Sequence, residues 1–354
     1  MTADRGILSR RLLLRCAAAG SMVLAGPLGA AAAETALVAP ENDPTLVVAG
    51  QPDSAIAGWA RLLLPSLTAG MAGGAALDLR YVGGEDGVTA ANQFDARAMA
   101  DGSQALLFPG CAALPWMAGD SRAQFDIGHF LPLLALSGMG VVMMRGGLSV
   151  PQRAHPVRLL CAAAPQACLT ALMALDLLGV AAIPVTGSRD ALQAVRAGIA
   201  DAVFVHGSDV PGQVYALASA GLAPAFATGL QIPRAEPSSG HALHGVPHLL
   251  SLLSPAQRNG DPRVTAWRGV AAASALVVVL ALPRLSAAAS VTTWRRACRA
   301  SVANDAIGQE IDRRDLQLLT DQETASCMQL MRADAPAQLN FRRWLADRLN
   351  WRPA

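Results

Sequence analysis

An α/β fold in two lobes, with a cleft between them, is what this sequence predicts. Short apolar runs alternate with helix-period patterns through most of the chain, the arrangement that layers helices on sheets. The 354 residues exceed what one hydrophobic core usually serves, so two units are expected. The smaller unit is enclosed within the larger, whose parts lie on both sides of it.

The elements follow in order. Thr45-Leu46-Val47-Val48 reads as a strand. The helix after it, over 55–67, places Ile56, Trp59, Ala60, Leu63 and Leu67 on one face. A strand over 77–82, a helix over 89–99 and a strand over 105–108 come next, the last ended by Pro109-Gly110. Two more strands are read at 130–136 and 140–144. Beyond a polar segment, a strand at 159–161, a helix at 167–178, a strand at 181–185, a helix at 190–197 and a strand at 202–205 form the second unit. Ala225-Phe226-Ala227 leads back out, and 231–245, rich in Pro, Ser, Gly and His, reads as a surface loop. The apolar run 269–282 is too short for a bilayer and reads as buried structure. A helix over 291–302 and a closing amphipathic helix carrying Phe341, Trp344, Leu345 and Leu349 complete the chain. The expected lobes are 34–144 with 231–354 for the first, which includes the C-terminal helices, and 145–230 for the second.

Residues 1–33 read as a signal peptide: Arg5, Arg10 and Arg11, an apolar stretch over 12–24, then Ala-x-Ala ahead of Glu34. Ser9-Arg10-Arg11-Leu12-Leu13-Leu14-Arg15 resembles the twin-arginine export pattern; an ordinary secretory leader with adjacent arginines is the alternative. Lipidation at Cys16 is opposed by Leu14-Arg15 before it. The expectation is a periplasmic protein cleaved near Ala33. Removing the leader's four arginines and one aspartate takes 28 basic and 26 acidic side chains to 24 and 25. A nearly neutral mature chain argues against nucleic acid as a partner.

Five cysteines follow the leader: Cys111, Cys161, Cys168, Cys298 and Cys327. An odd number leaves at least one thiol unpaired in an oxidising compartment. Cys161/Cys168 and Cys298/Cys327 are candidate pairs that spacing does not decide.

Other constellations read as structural. His241, His244 and His248 have a metal-like spacing, but they lie in a Pro/Gly/Ser-rich setting with only Glu236 close in sequence. His206-Gly207-Ser208-Asp209 resembles a fragment of a hydrolase triad without the Gly-x-Ser-x-Gly elbow. Gly138-Met139-Gly140 lacks the third glycine of a dinucleotide fingerprint. Trp59 sits at core spacing, Trp267 is a candidate cleft residue, and Arg295, Arg296 and Arg299 read as a solvated face. No cofactor, metal or catalytic group is expected.

Four segments stand out by their order and spacing. The first runs from Gly87 to Leu107, with an alanine-rich helix and Ala100-Asp101-Gly102 before an apolar strand. The second is Phe125-Asp126 through Phe130-Leu131-Pro132 to Val141-Val142-Met143. The third is Ile183-Pro184-Val185-Thr186-Gly187, then Ala191-Leu192-Gln193 and Gly198-Ile199-Ala200-Asp201-Ala202. The fourth is the stretch 216–229. Together they resemble the solute-binding proteins of tripartite tricarboxylate transporters, the Bug family. The resemblance implies a type II-like periplasmic binding fold that clamps a small organic anion, typically a carboxylate, against backbone amides and helix starts. Carried over by position, the ligand-facing residues are Gln51, Asp53, Ser54, Thr89 and Gly110 from the first lobe. From the second come Gln166, Thr186, Gly187, Ser188 and His206. A monomer that hands its ligand to membrane transporter subunits is implied; a ligand sensor for a membrane partner and a periplasmic hydrolase are the alternatives.

The chain departs from the family at the site. Gln51-Pro52-Asp53-Ser54 stands where the family has Pro-Pro-Gly-Gly, Ala57 stands for an Asp, Pro109-Gly110-Cys111-Ala112 for a Thr/Ser-rich loop, and His206 for an Asn. Asp53 would repel a carboxylate at close range by about 1 kcal/mol or more. A neutral, amine-bearing or zwitterionic ligand is therefore compatible with the sequence.

Overall fold

The computed structural model describes residues 44–71, 76–84, 86–148, 155–161, 168–186, 190–207, 209–230, 243, 245–332 and 335–351. The leader, Gln166, Gly187, Ser188, His241 and His244 lie outside them.

Strand β1 (Thr45–Ala49) leads into helix α1 (Ala55–Gly70), β2 (Asp78–Val82) into α2 (Val88–Arg97), and β3 (Gln104–Phe108) into a 3-10 turn at Gly110–Ala112 and α3 (Ala113–Ala118). Each step is a strand, a short connection and a helix, which is why β1 pairs in parallel with both β2 and β3. Leu46, Val47 and Val48 are fully buried, as a parallel strand covered by helices on both faces requires. Strand β4 (Phe130–Gly138) follows, then β5 (Gly140–Arg145).

The enclosed unit comprises β6 (Val157–Leu160), α4 (Leu169–Leu177), β7 (Ala182–Val185), α5 (Ala191–Arg196), β8 (Ala202–Val205), α6 (Val210–Ser219) and β9 (Leu222–Thr228). The returning segment holds α7 (Leu249–Leu252), α8 (Pro255–Gly260), α9 (Pro262–Ala275), β10 (Leu276–Pro283), α10 (Ala288–Val302), α11 (Asp305–Arg313), β11 (Leu316–Leu319), α12 (Asp321–Arg332) and α13 (Ala335–Leu349). The apolar run 269–282 thus divides in two: its alanine-rich half is helical and its valine-rich half, β-branched and stiff, is a strand.

Two mixed sheets result, ordered β11-β4-β10-β3-β1-β2 and β7-β6-β8-β5-β9. Strand β5, read from sequence as the end of the first unit, hydrogen-bonds instead to β8 and β9 of the second sheet. The chain changes sheets at Met139. A Cβ on Gly140 would stand 2.6 Å from Thr228 Oγ1 and 2.7 Å from the Phe204 ring, so only glycine lets β5 close up against its neighbours at this crossover. Gly138-Met139-Gly140 is a sheet-to-sheet passage.

Helix α4 is apolar all round because it is covered all round. Leu169 through Leu175 and Leu177 are buried, Asp176 excepted, between the second sheet and helices of the returning segment. Trp267 of α9 donates from Nε1 to the Thr170 carbonyl at 3.1 Å, and Thr170 Oγ1 meets Ser274 Oγ at 2.7 Å. At the other end Trp344 Nε1 donates to Asp176 at 2.8 Å and the Arg348 guanidinium pairs with the same carboxylate at 3.1 Å. Trp59 and Trp267, 3 % and 1 % exposed, are both core residues.

Cys161 and Cys168 form a disulfide across the start of α4. Cys111, Cys298 and Cys327 are free, so the candidate Cys298/Cys327 pair is not made. Burial, with Asp321 nearby, pushes the Cys298 thiol up to about 12. Burial likewise raises Cys111, beside Asp86, and Cys327, beside Glu323, to about 11. All three stay protonated, and so unreactive, at neutral pH. No helix among the described residues is long and apolar enough to cross a membrane.

Candidate functional site

In an open α/β sheet, ligands are met at the carboxyl ends of the strands, where connections run into helix starts. In the first sheet this edge is built from three connections. After β1, Ser54 caps α1: its Oγ accepts from the Ala57 N–H at 3.4 Å and donates to the Gln51 carbonyl at 2.6 Å. The tight turn this makes exposes Gln51 and Asp53. Arg61 ties the turn from behind by donating to the Pro52 carbonyl at 2.6 Å.

After β2, the backbone runs beneath these side chains. A Cβ on Gly83 would lie 2.5 Å from Gln51 Nε2, and one on Gly84 3.1 Å from Thr89 Oγ1. Gln51 and Thr89 are therefore brought to one place over the glycine pair. Gly87, at φ +81°, starts α2 without a side-chain cap of its own, a left-handed conformation that glycine adopts without strain. Asp86 supplies the missing acceptor, taking the Val88 N–H at 3.2 Å while pairing with Arg122 at 3.4 Å. After β3, Gly110 is buried, and a Cβ there would meet Leu276 at 2.6 Å and the Ala273 carbonyl at 2.7 Å. Its place in the structure is a close approach of the turn to α9.

In the second sheet, exposed Thr186 follows β7 and half-buried His206 follows β8. His206 stacks on Phe204 with ring centroids 4.9 Å apart, and burial holds its imidazole below the ordinary histidine pKa. The loop after it reaches the crossover, where a Cβ on Gly138 would lie 3.1 Å from the Gly207 carbonyl. No hydrogen bond joins His206 to Asp209 among the described residues. Of the sequence-derived positions, Gln51, Thr89 and the Ser54 turn assemble together, while Thr186 and His206 stand on the other sheet. The side chains of Gln51, Asp53, Thr89, Thr186 and His206 make no hydrogen bond to another described residue.

Sequence reasoning passed over Asp86. Its position two residues before an N–H at a glycine-started helix was the available signal. His248 is explained without metal: it caps α7, with Nδ1 accepting from the Leu250 N–H at 3.2 Å and Nε2 lying 3.3 Å from the Gly229 carbonyl. Among the described residues no cluster of three His, Cys, Asp or Glu side chains is arranged for a metal ion.

No family model and no curated protein matches the sequence. Solved structures do. The chain is similar to a TctC solute-binding protein from Polaromonas, with a TM-score of 0.60 and 14 % identity over 86 % of this chain and 98 % of that one. It is similar to the periplasmic binding protein BugD, with a TM-score of 0.52 and 17 % identity over 87 % of this chain and 98 % of that one. It is also similar to MatC of Rhodopseudomonas palustris, solved with bound malate, with a TM-score of 0.53 and 17 % identity over 86 % of this chain and 99 % of that one. The resemblance read from sequence therefore holds at the level of architecture: the chain has the two-lobed α/β fold of the TctC/Bug tripartite tricarboxylate solute-binding proteins.

Proposed function

We propose that this chain is a divergent periplasmic solute-binding protein of the tripartite tricarboxylate type. It captures a small organic molecule between its lobes and delivers it to membrane transporter subunits. The observation that carries the reading is the group of polar side chains at the strand ends that bond to no other described residue, on a fold whose relatives hold small molecules. A stability-driven surface gives no reason to gather Gln51 and Thr89 over a glycine pair. A receptor does, because exposed donors and acceptors over bare backbone let a ligand approach closely.

In this reading Gln51, Asp53 and Thr89 meet the ligand from the first lobe, with Ser54 holding their turn and Gly110 setting the distance of the third connection. Gln166, Thr186, Gly187, Ser188 and His206 meet it from the second. The boundary read from sequence at 144 moves to the sheet change: the lobes of this reading are 34–139 with 231–354, and 140–230, with the passage of the chain between sheets at Met139 as the first hinge. In this reading the protein binds and releases its ligand without chemistry, in keeping with the binding proteins whose fold it shares.

Thermal-shift screening of carboxylates, amino acids and amides tests the reading. At least one compound is expected to raise the melting temperature by several degrees, with the rise reduced in Gln51→Ala and in His206→Ala. A flat response across the panel from protein with a cooperative melt would sink it.

A further inference from the structure

Helix α4 lies between β6 and β7 in the chain and so belongs to the second lobe, yet its polar groups are held by the first. Trp267 of α9 donates to the Thr170 carbonyl at 3.1 Å, and the Thr170 hydroxyl meets Ser274 Oγ, also of α9, at 2.7 Å. At its far end Asp176 takes the Trp344 indole N–H at 2.8 Å and pairs with Arg348 at 3.1 Å, both from α13. Arg348 also donates to the Ala182 carbonyl, so one first-lobe side chain grips α4 and the start of β7. Gln257 of α8 adds a bond to the Leu177 carbonyl at 3.4 Å.

Packing takes the same route. One continuous buried cluster runs from Val47 and Phe108 of the first sheet, through Leu172 of α4, to Val142 and Leu159 of the second. Only the other face of the second sheet has a core of its own, formed with α5 and α6 around Val141, Val195 and Val214. The crossing between the sheets is filled as well: a Cβ on Gly138 would stand 3.0 Å from the Leu316 side chain and 3.1 Å from the Gly207 carbonyl. Lobes move relative to one another by default unless their interface is large and apolar. Here a hinge rotation would slide α4 along α9 and α13. It would strip Asp176 and Thr170 of their partners and open voids in a close-packed interior, and both are opposed.

We propose that α4 bolts the two lobes into one body, so that the cleft keeps a fixed width and a ligand enters a preformed site without hinge closure. Thr170 and Asp176 anchor the bolt. The crossing at Met139, a hinge by topology, is held still by this seam. The proposal concerns the motion of the lobes and not what they bind, so it can fail while the receptor reading stands.

The distance between the lobes tests it. Ketone-bearing residues placed at Ala96 of α2 and Tyr215 of α6, both exposed, take nitroxide labels without touching the native cysteines. Pulsed dipolar spectroscopy of the purified protein then reads their separation. One narrow distribution is expected without ligand. Its mean should move by less than about 2 Å with each compound of the carboxylate, amino-acid and amide panel that raises the melting temperature. Trp344→Phe with Arg348→Met frees Asp176, and Thr170→Val frees Ser274. The triple variant should widen the distribution by more than about 2 Å or add a second population. Where the triple variant loses its cooperative melt, Arg348→Met alone is read in the same way, with widening again expected. A broad or two-peaked native distribution overturns the proposal, as does a larger movement of the mean with a bound compound. A folded, released variant as narrow as the native protein also overturns it. If no panel compound binds, the receptor reading falls, and the unliganded native and released distributions still decide this one.

Discussion

Helices α2 and α4 both follow parallel strands in a strand–helix unit, yet they meet opposite surroundings. The α4 seam is closed: the Trp267 and Trp344 indoles, the Thr170 hydroxyl and the Asp176 carboxylate each have a partner within the protein. Gln257 reaches the Leu177 carbonyl at 3.4 Å as well. At the start of α2 the polar side chains face outward, and Gln51 and Thr89 take nothing from the described chain. On the proposed function, the same supersecondary unit is used once for cohesion and once for recognition. Satisfied buried polar groups specify a single packing; exposed unpartnered ones cost nothing in water and stay free for a ligand.

The contrast breaks most visibly at Trp267. Replacing it by alanine removes a 1 % exposed indole and its hydrogen bond to the Thr170 carbonyl, a loss of about 3–5 kcal/mol for a large core side chain. Denaturant melts should show that loss, with the choice of ligand unaltered in whatever folded protein remains. A small stability loss joined to a change in which ligand binds would place the seam in the recognition surface and dissolve the contrast.

The disulfide comes next. Cys161 and Cys168, seven residues apart, close a short loop whose constraint on the unfolded chain is worth about 2–3 kcal/mol. Serine at both positions should lower the urea midpoint correspondingly. Both sulfurs belong to residues only 1 % exposed, so mild reductant should leave the native protein oxidised until it is unfolded. Rapid reduction of the folded state would show that the end of the seam next to the second lobe's first connection opens on its own.

How much of this was legible beforehand follows from physical scale. Local periodicity located β1 to β8 and helices α1, α2, α4, α5, α10 and α13, because burial of one face or both is written into neighbouring residues. It could not assign β5 to its sheet: Val141, Val142 and Met143 are equally apolar against either, and only the fit of Gly140 under Thr228 decides. The stretch 304–332 spreads its apolar residues (Ile307, Ile311, Leu316, Leu318, Leu319, Met328, Leu330 and Met331) thinly among charges and amides, and it hid α11, β11 and α12, since a four-residue strand gives periodicity little to work on. At the site, Gln51 and Thr89 were reached through resemblance. The role of Asp86 was not, because it depends on a hydrogen bond across a glycine that composition does not register. The Cys161/Cys168 pair was one of two options until geometry chose it.

The smallest effect is a pH dependence, and it samples both regions at once. Burial lowers the pKa of His206 at the strand ends and of His248, whose ring centroid lies 6.2 Å from that of Trp267 in the seam. A histidine with a folded pKa below its unfolded value binds fewer protons when folded. Stability is then complete above the unfolded value, about 6.5, and is lost as pH falls from there through the folded pKa. The melting temperature should therefore fall between pH 7 and pH 5. His248→Asn keeps an oxygen to cap α7 and should flatten the seam's share, and His206→Asn the share of the strand ends. Ligand should protect only the second share, because a molecule held against His206 favours the neutral ring there and leaves His248 untouched. Equal protection of both would mean that the seam and the recognition surface respond as one.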